Sequence, residues 1–463
     1  MKFRVGGCLV LISLVSCTVG PDYQKTEPVV PKQWQALSAE NFQISKTIDL
    51  KTYWQSFGDA NLNTLINKAL RSNLDIKIAL ARVDQARSER RGVRAELFPT
   101  VNATGGVQRQ NNPFPGLAQG IKYNMFEMGF DALWEVDLYG RQQRRLESAV
   151  AEQEATNEDY REALVTLTSE LARAYINYRS LQNQLRITHS NLSSQQHILK
   201  LTEQLFSEGV NARHDVVRAK AQVETTSAQI PVLEANLIAT LHQLEVLVGQ
   251  QPGSLATELN ATDQMPVIPS QVFLTTPIEV IRHRPDIQAV ERQLAAATAM
   301  KGAAIAEQYP KISISAFFGL RNTDIESLFK SAAFSYGTAA NFVQPLLDFG
   351  RIQAGIDLAE AKQKEAYLGY EKTILEALQE TETTLTQYLK EEVRRQTLAR
   401  SITELQESVR LSELRYQEGV STFLEVLDSQ RTLYAAQIEL SRSEALTATY
   451  LIACYKSLGG GVS

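Results

Sequence analysis

The stretch LTEQLFSEGV, residues 201–210, returns as LSELRYQEGV at residues 411–420. Between 201–220 and 411–430, six of the twenty positions are identical, where average residue usage would give about one. Further upstream, Asp137-Leu-Tyr-Gly-Arg141 corresponds to Leu347-Asp-Phe-Gly-Arg351 at the same shift of 210 residues. Leu97-Phe-Pro-Thr-Val101 matches Gln308-Tyr-Pro-Lys-Ile312 at a shift of 211. The chain is therefore predicted to contain two tandem copies of one structural unit.

Each copy contains two segments with the alternation of an amphipathic strand. In the first copy the apolar positions are Phe126, Met128, Phe130, Ala132, Trp134 and Val136. The positions between them include the acids Glu127, Asp131, Glu135 and Asp137. This period of two predicts a strand with one apolar and one acidic face, paired with Val101–Val107 through a loop rich in Pro, Gly and Asn. In the second copy Ile312–Phe318 and Phe334–Phe342 correspond to it, so strand pairs are predicted at 98–139 and 309–349.

Strands of this length, with one apolar and one polar face, are typical of a transmembrane barrel wall. A soluble β-sandwich would show the same alternation, and the pattern alone leaves this alternative open. Four strands cannot close a barrel, since about eight are needed. If the strands span a membrane, several chains must share one barrel, and the acidic face predicts a lumen that prefers cations.

Two long helical hairpins follow the strand pairs. From Arg141 the chain has no glycine before Gly209 and no proline before Pro231. A helix from Arg141 to about Phe206 would be roughly 100 Å long. Coiled-coil seams are predicted at Leu185, Leu192, Leu199 and Phe206, and at Leu398, Ile402, Leu405 and Val409. Gly209 and Gly419 stand where C-capping glycines end helices. Hairpins are therefore predicted at 141–248 and 351–458.

The N-terminus has the pattern of a bacterial secretion signal. Lys2 and Arg4 precede an apolar run that ends in Leu14-Val-Ser-Cys17. This ending resembles a lipobox, so residues 1–16 are predicted to be removed and Cys17 to carry a lipid such as palmitate. An ordinary signal peptide with an incidental cysteine is the alternative. After the signal we expect a lipidated extended segment at 17–58, a first repeat at 59–270, a second at 271–458, and a flexible tail at 459–463.

Composition excludes several other classes of protein. The 47 Lys+Arg against 52 Asp+Glu leave a net charge of −5, which gives no basic surface for nucleic acid. A mean hydropathy of −0.21 does not fit a bundle of membrane helices. The five histidines show no metal-ligand spacing, and no phosphate-binding loop or G-x-S-x-G motif occurs. We therefore predict no enzyme activity, no metal and no cofactor besides the covalent lipid on Cys17.

With these features the mature chain resembles the TolC-type outer membrane factors, in the lipoprotein branch that includes OprM and NodT. The resemblance is carried by CTVGPDY at 17–23, WQSFGDANL at 54–62, RHRPDI at 282–287 and RYQEGVSTFLEVLDSQR at 415–431. It implies a mainly α-helical trimer. Each chain would give four strands to one twelve-stranded outer-membrane β-barrel, and helical hairpins to an α-helical barrel in the periplasm.

The resemblance also implies functional residues. The family closes its duct at the periplasmic tip, and the gate positions fall on Leu424, Glu425 and Asp428. In TolC a tyrosine, an aspartate and an arginine latch neighbouring hairpins. The first two correspond to Tyr416 and Asp215, whereas Ser421 stands at the arginine position, so the ionic part of that latch is missing. Arg218 corresponds to Asp428 between the hairpins, and we hypothesise that it pairs with a tip acid. The hairpin tips Gly209, Val210, Gly419 and Val420 would contact an adaptor.

The function that follows is a passive outer-membrane exit duct of a tripartite RND-type efflux system, exporting small molecules such as drugs. It would be lipid-anchored, extend into the periplasm, and work with a periplasmic adaptor and an inner-membrane transporter that supplies the energy. Two alternatives stay open at this point. One is an outer-membrane duct for type I protein secretion, and the other is a soluble periplasmic coiled-coil adaptor.

Overall fold

The structure is a computed structural model. It describes residues 18–25, 28, 30–36, 44–45, 50–112, 121–210, 212–259, 264–269 and 272–460. Cys17 and the signal therefore lie outside the described residues, as do the whole 113–120 loop and the end of the tail. No helix within these described ranges is both long and apolar enough to cross a membrane.

Each repeat supplies helices before and after its strand pair. The first repeat contains α1 Ala60–Ser72, α2 Leu74–Ala95, β2 Thr100–Asn112, β3 Ile121–Val136, α3 Arg141–Ser207, α4 Arg213–Ser227, α5 Ile230–Leu247 and α6 Ala256–Leu259. The second contains α7 Pro277–His283, α8 Pro285–Ala306, β5 Lys311–Asn322, β6 Phe334–Val343, α9 Arg351–Gln417 and α10 Phe423–Ser457. The two-residue strands β1 Ile44–Ser45 and β4 Val272–Phe273 pair in parallel.

The four long strands form one antiparallel sheet in the order β2-β3-β5-β6. The central pair, β3 with β5, joins the first repeat to the second from Phe126↔Asn322 to Val136↔Ile312. Residues opposite each other point to the same face of a sheet. One such row is Ala103, Phe130, Phe318 and Tyr336, and the adjacent row on the other face is Asn102, Asp131, Phe317 and Gly337.

The chain divides into two compact units, and each takes segments from both repeats. The sheet unit combines the residues up to Glu27 with Arg82–Asn157 and Ala289–Glu371. The hairpin unit combines Pro28–Ala81, Glu158–Gln288 and Lys372–Ser463. The compact units thus do not coincide with the repeats in the sequence, because strands and helix ends from both copies pack together within each unit.

Within the sheet unit, the N-terminal strand-like segment Thr18–Lys25 is bound to the helices. The buried Arg144 guanidinium donates to the backbone oxygens of Val19 and Gly20 at 3.1 Å each and to an Asp22 carboxylate oxygen at 2.8 Å. Gly20 lies so close to Gly302 that a Cβ on Gly20 would come within 2.5 Å of the Gly302 Cα. The segment that follows the predicted lipidation site is therefore held by specific contacts.

Aromatic side chains form the core of the hairpin unit. A 3₁₀ helix at Leu50–Phe57 buries Tyr53, Trp54 and Phe57, and the Tyr53 ring lies 5.1 Å from that of Tyr455. Large rings bury much apolar area, which favours this compact turn over an extended chain. The 17–58 segment, predicted to be extended, thus contains a helical turn.

The return arms of the two hairpins differ. In the first repeat the arm breaks at Ala228–Gln229 into α4 and α5, and Pro231 stands in the first turn of α5. Proline has no backbone N–H and is tolerated only in the first turn of a helix. The second repeat has no proline there, and α10 continues without a break.

Two predictions made from the sequence patterns are corrected by the structure. Strand β3 ends at Val136, so Asp137 does not lie on the acidic strand face; its carboxylate accepts from the Gln143 N–H at 2.7 Å and caps α3. The predicted seam of Leu185, Leu192, Leu199 and Phe206 is not the buried stripe of α3 either. Full burial falls on neighbouring, mostly polar side chains, which include Gln184, Thr188, Gln195, Ile198 and Thr202.

Candidate functional site: the hairpin tips and the amphipathic sheet

Both hairpins turn in the same way at their tips. The Val210 N–H donates to the Leu205 oxygen, and the Val420 N–H donates to the Arg415 oxygen, each at 2.9 Å. Gly209 and Gly419 adopt φ of +80° and +67°, the left-handed conformation that such helix C-terminal turns require. Val210 and Val420 are 62% and 68% exposed. The four predicted adaptor-contact residues thus occupy two equivalent, exposed turns.

A small hydrophobic cluster packs just behind these turns. It joins Ile198 and Ala219 from the first hairpin to Tyr416, Phe423 and Val426 from the second. The Tyr416 hydroxyl and the Thr202 hydroxyl lie 3.1 Å apart in a buried hydrogen bond. The two hairpins are therefore fastened together near their tips. Thr202 was not identified from the sequence, because a threonine inside a helix gives no local signal of a distant partner.

Tyr416 and Asp215 line one cavity, of about 450 Å³, at the tips. Ser421 lines it too, and its buried hydroxyl oxygen has no hydrogen-bond partner among the described residues. The structure thus brings together the three positions that the TolC comparison connects. The cavity has both polar and apolar walls, with Leu205, Val210 and Phe423 among the apolar ones.

The proposed gate residues stand on the exposed side of α10. Leu424 is 54% exposed, and Glu425 and Asp428 are exposed as well. An Arg415 guanidinium nitrogen lies 3.9 Å from a Glu425 carboxylate oxygen, a long contact between two half-exposed groups. Such a pair contributes little to stability. Arg218 is exposed, and the described part of this one chain offers it no ion pair.

The sheet has one face of exposed apolar side chains. Val107 is 71% exposed, Phe130 56%, Phe318 59%, and Tyr336 77%. Together they form a continuous surface with Val101, Met128, Phe334 and Phe342. Contiguous apolar surfaces of this kind mark contact with a partner or a membrane.

The opposite face of the sheet carries charges that are partly neutralised. Arg321 donates to the Glu127 carboxylate at 3.0 Å, and its guanidinium lies 3.9 Å from the centre of the Phe317 ring. The Phe317 ring lies over Gly129 and Gly319, where there is no side chain to displace it. Arg141 pairs with Glu135 at 2.5 Å. The face therefore carries fewer unpaired acids than its strand sequence indicates.

No group of histidine, cysteine or acidic residues in the described ranges could hold a metal ion. Cys454 is a free, buried thiol, and burial raises its pKa to about 12. A thiol with so high a pKa is a packing residue rather than a nucleophile.

A mainly helical chain with two hairpin tips and an amphipathic four-stranded sheet defines a class of channel-forming proteins. The profile described as "Outer membrane efflux protein" matches residues 65–250 and 277–460. The chain belongs to this family. The two matched segments correspond to the two repeats.

Individual relatives agree over nearly the whole chain. Nodulation protein T of Rhizobium leguminosarum bv. viciae is 28% identical over 448 residues, covering 95% of this chain and 90% of the relative. The pyoverdine export outer membrane protein OpmQ of Pseudomonas aeruginosa is 30% identical over 464 residues, covering 99% and 96%. The structure of the outer-membrane channel OprN superimposes with a TM-score of 0.90 at 33% identity, covering 96% of this chain and 99% of that one.

These matches confirm the predicted family and the predicted fold class. The protein is an outer-membrane efflux channel and not an enzyme, as the sequence predicts. The soluble adaptor alternative is set aside, because the family and the similar solved structure are outer-membrane proteins.

Proposed function

We propose that three copies of this chain form the exit duct of a tripartite RND-type efflux system for small molecules. In this assembly each chain gives β2, β3, β5 and β6 to one twelve-stranded barrel in the outer membrane. The observation that carries the proposal is the sheet itself: one face is apolar and exposed, and β2 and β6 are open edges. In lipid every backbone polar group needs a partner, and only closure with other chains supplies it.

The proposed gate lies at the hairpin tips. Three copies of Leu424 would narrow the duct with an apolar ring, and three copies each of Glu425 and Asp428 would surround the same axis. Like charges around a narrow opening attract cations and oppose closure, so a counter-charge is needed to hold it shut. Arg218 is exposed and has no ion pair among the described residues of its own chain, and we propose that it pairs with a tip acid of a partner subunit.

The proposed partners follow from the exposed turns. Val210 and Val420 present small apolar caps on two equivalent glycine turns, which suits docking of a helical adaptor tip. An inner-membrane transporter would then supply the energy. The cargo is proposed to be a small molecule, in line with the relative named for pyoverdine export. Copurification with a peptide-exporting ATPase instead would favour the type I secretion alternative.

The proposed anchor is a lipid on Cys17. The contacts of Arg144 with the Val19 and Gly20 backbone support this assignment, because they hold the chain two and three residues after the modified residue against the first turn of α3. A Cys17→Ser protein should incorporate no labelled palmitate. Incorporation equal to that of the unaltered protein would contradict the assignment.

The function is tested with purified protein in planar bilayers. We expect a detergent-solubilised trimer with small conductance, and Leu424→Ser should raise that conductance severalfold by removing the apolar ring at the tip. Glu234→Ala, an exposed acid on α5, serves as the control and should leave it unchanged. A detergent-free monomer without conductance would refute the proposal. Arg218→Ala conducting like the unaltered protein would refute the proposed pairing of Arg218 alone.

A further inference from the structure

The two repeats meet within the chain at one well-defined junction. At the base of the central β3–β5 pair, the rings of Tyr139 and Tyr309 stack at 4.7 Å with an interplanar angle of 22°. Beside them, an Arg141 guanidinium nitrogen lies 2.9 Å from a Glu307 carboxylate oxygen. Tyr139 lies in the turn before the first long helix and Arg141 begins that helix, whereas Glu307 and Tyr309 follow α8 of the second repeat. All four lie in the sheet unit.

The repeat shift assigns an equivalent to each of these four residues. At the shift of 210, Tyr139 corresponds to Phe349 and Arg141 to Arg351. At the shift of 211, Tyr309 corresponds to Phe98 and Glu307 to Glu96. The sequence therefore contains a second aromatic pair and a second arginine–glutamate pair at the equivalent positions.

This second set is not assembled within one chain. Phe349 is 91% exposed and Phe98 60% exposed. Arg351 is exposed, and the described residues provide it with no ion pair. The Glu96 side chain is 47% exposed, and its carboxylate contacts the half-exposed Arg145 and the Gln142 amide, each at 3.1 Å. Phe349 also adopts φ of +54°, the left-handed conformation that a residue with a Cβ rarely takes. The matching halves stand at the two opposite edges of the sheet, beside β6 and β2.

We propose that the contact between subunits repeats the contact between the two repeats. Phe349 stacks on Phe98 of the partner subunit, and Arg351 pairs with Glu96 of the partner subunit. This inference rests on the proposed trimer and names its contact residues. The two surfaces differ, so the contact runs head to tail, and a head-to-tail contact closes into a ring when the rotation permits.

The strand edges agree with this arrangement. Transferring the β3–β5 register by the same shifts pairs β6 with β2 of the partner subunit, and sets Phe342 opposite Gly105 of the partner subunit. Phe342 belongs to the apolar face, in the row with Ile312 and Val136, and Gly105 lies opposite Met128 of that same face. The transferred register therefore keeps the apolar side continuous, whereas a slip of one residue would invert it.

The contact is tested by cross-linking the full-length protein. In a Cys454→Ala background, Phe98→Cys combined with Phe349→Cys is treated with a short bis-maleimide in detergent. We expect covalent dimers and trimers on denaturing gels, and only monomers from either single variant. Phe98→Cys with Phe329→Cys is the control, because Phe329 is equally exposed but lies in the β5–β6 connection. Tyr139→Cys with Tyr309→Cys should cross-link within one chain.

The outcomes separate this inference from the proposed function. Monomer bands from the Phe98/Phe349 pair, with particles that are still trimers by mass, would overturn the inference and leave the duct intact. Particles that are monomeric by mass would refute the trimer and the inference with it.

Exchanging the charges of Glu96 and Arg351 tests the proposed contact independently. Glu96→Arg and Arg351→Glu should each lower the temperature at which the trimer dissociates, and the double variant should recover a large part of the loss. If the double variant lowered the dissociation temperature by the sum of the two single decreases, the Arg351–Glu96 contact would be overturned.

Discussion

Arg284 is a buried cation in the segment RHRPDI, and its guanidinium binds two carboxylates and one backbone oxygen. Its guanidinium binds both Asp286 carboxylate oxygens at 3.0 and 2.8 Å, a Glu380 oxygen at 2.8 Å and the Ser457 backbone oxygen at 2.9 Å. Burial alone would lower the pKa of Arg284, but the two carboxylates outweigh it and raise the pKa. The residue stays charged and ties the first turn of α8 to α9 and to the end of α10, through contacting residues that all lie in the hairpin unit.

Replacing Arg284 should therefore destabilise the fold strongly. We expect Arg284→Met to cost about 1–3 kcal/mol, because the partly exposed carboxylates of Asp286 and Glu380 and the Ser457 backbone oxygen lose their charged donor. Arg284→Lys should recover only part of this, since an ammonium cannot bind Asp286 with two parallel bonds. Arg71→Met, at an exposed arginine of α1 in the same unit, is the control and should change stability by less than about 0.5 kcal/mol. Thermal unfolding in detergent, followed by circular dichroism, measures all three, and equal midpoints for Arg284→Met and Arg71→Met would contradict this.

Glu245 is a buried carboxylate that organises the turn after α5. It accepts from the N–H groups of Leu255 and Gly253 at 2.9 and 2.8 Å and contacts the His242 ring at 2.9 Å. Burial would raise the pKa of Glu245, but these contacts prevail and lower it. A carboxylate with a lowered folded pKa stabilises the fold above its ordinary pKa of about 4.3. That contribution is lost as the pH falls through the ordinary and then the lowered pKa.

Glu245→Gln should consequently lower stability at pH 7 by about 1–3 kcal/mol. It should also show a smaller fall in thermal midpoint between pH 6 and pH 3 than the unaltered protein, because part of that fall is due to protonation of Glu245. Glu234→Gln, an exposed acid on the same helix, is the matched control. A Glu245→Gln protein with the full pH dependence would show that this carboxylate does not carry the effect.

At the scale of elements, the two long hairpins depend on the glycine turns at their tips. Gly209 and Gly419 have positive φ and open space around them, so a methyl group would meet no atom but would strain the backbone. Behind the turns, Thr202–Tyr416 and Thr188–Tyr434 hydrogen bonds, both 3.1 Å, connect the hairpins. The tips are thus held by backbone conformation and by a few polar contacts.

Gly209→Ala and Gly419→Ala should each destabilise the tip by about 1–2 kcal/mol, the cost of a left-handed residue with a Cβ. Gly355→Ala is the matched control: this glycine lies inside α9 with open space around it, and alanine there should stabilise by about 0.5–1 kcal/mol. Hydrogen exchange of tip amides reports the local effect. Unchanged protection in both tip variants would show that the turns tolerate a side chain.

At the scale of the whole molecule, the charged face of the sheet would line the lumen of the proposed duct, and we expect its charge to influence which ions pass. The strand sequence predicts a cation preference from its acids. The ion pairs of Glu127 with Arg321 and of Glu135 with Arg141 reduce that preference. Arg321, placed over Phe317 on the same face, is therefore expected to lower the cation preference of the proposed duct.

We expect Arg321→Gln to increase the cation preference of the channel and Glu127→Gln to decrease it. The physical reason is that each change leaves the other member of the pair unneutralised in a confined space. Reversal potentials in a salt gradient measure the shift, with Lys330→Gln in the β5–β6 connection as the control. Shifts of the same sign for both variants would exclude a role for this pair.

Much of this architecture could be predicted from local patterns. Alternation at Phe126–Val136, the long proline-free stretches and the glycine turns each act through neighbouring residues, so the sequence alone indicates strands, helices and tips. The repeat also placed Tyr139 and Phe349 in equivalent positions. It could not show that one is stacked and the other exposed, because that depends on which partner the chain itself supplies.

The sequence by itself determined the two tandem copies, the faces of the strands and the positions of the turns, because periodicity and glycine conformations are local properties. Only the tertiary structure decided that Thr188 and Thr202, rather than the leucines beside them, are buried on α3, and that Asp137 caps a helix. It also decided that Glu127 and Glu135 are paired with arginines. Contacts between residues far apart in the chain have no period in the sequence, so they become visible only when the elements are packed.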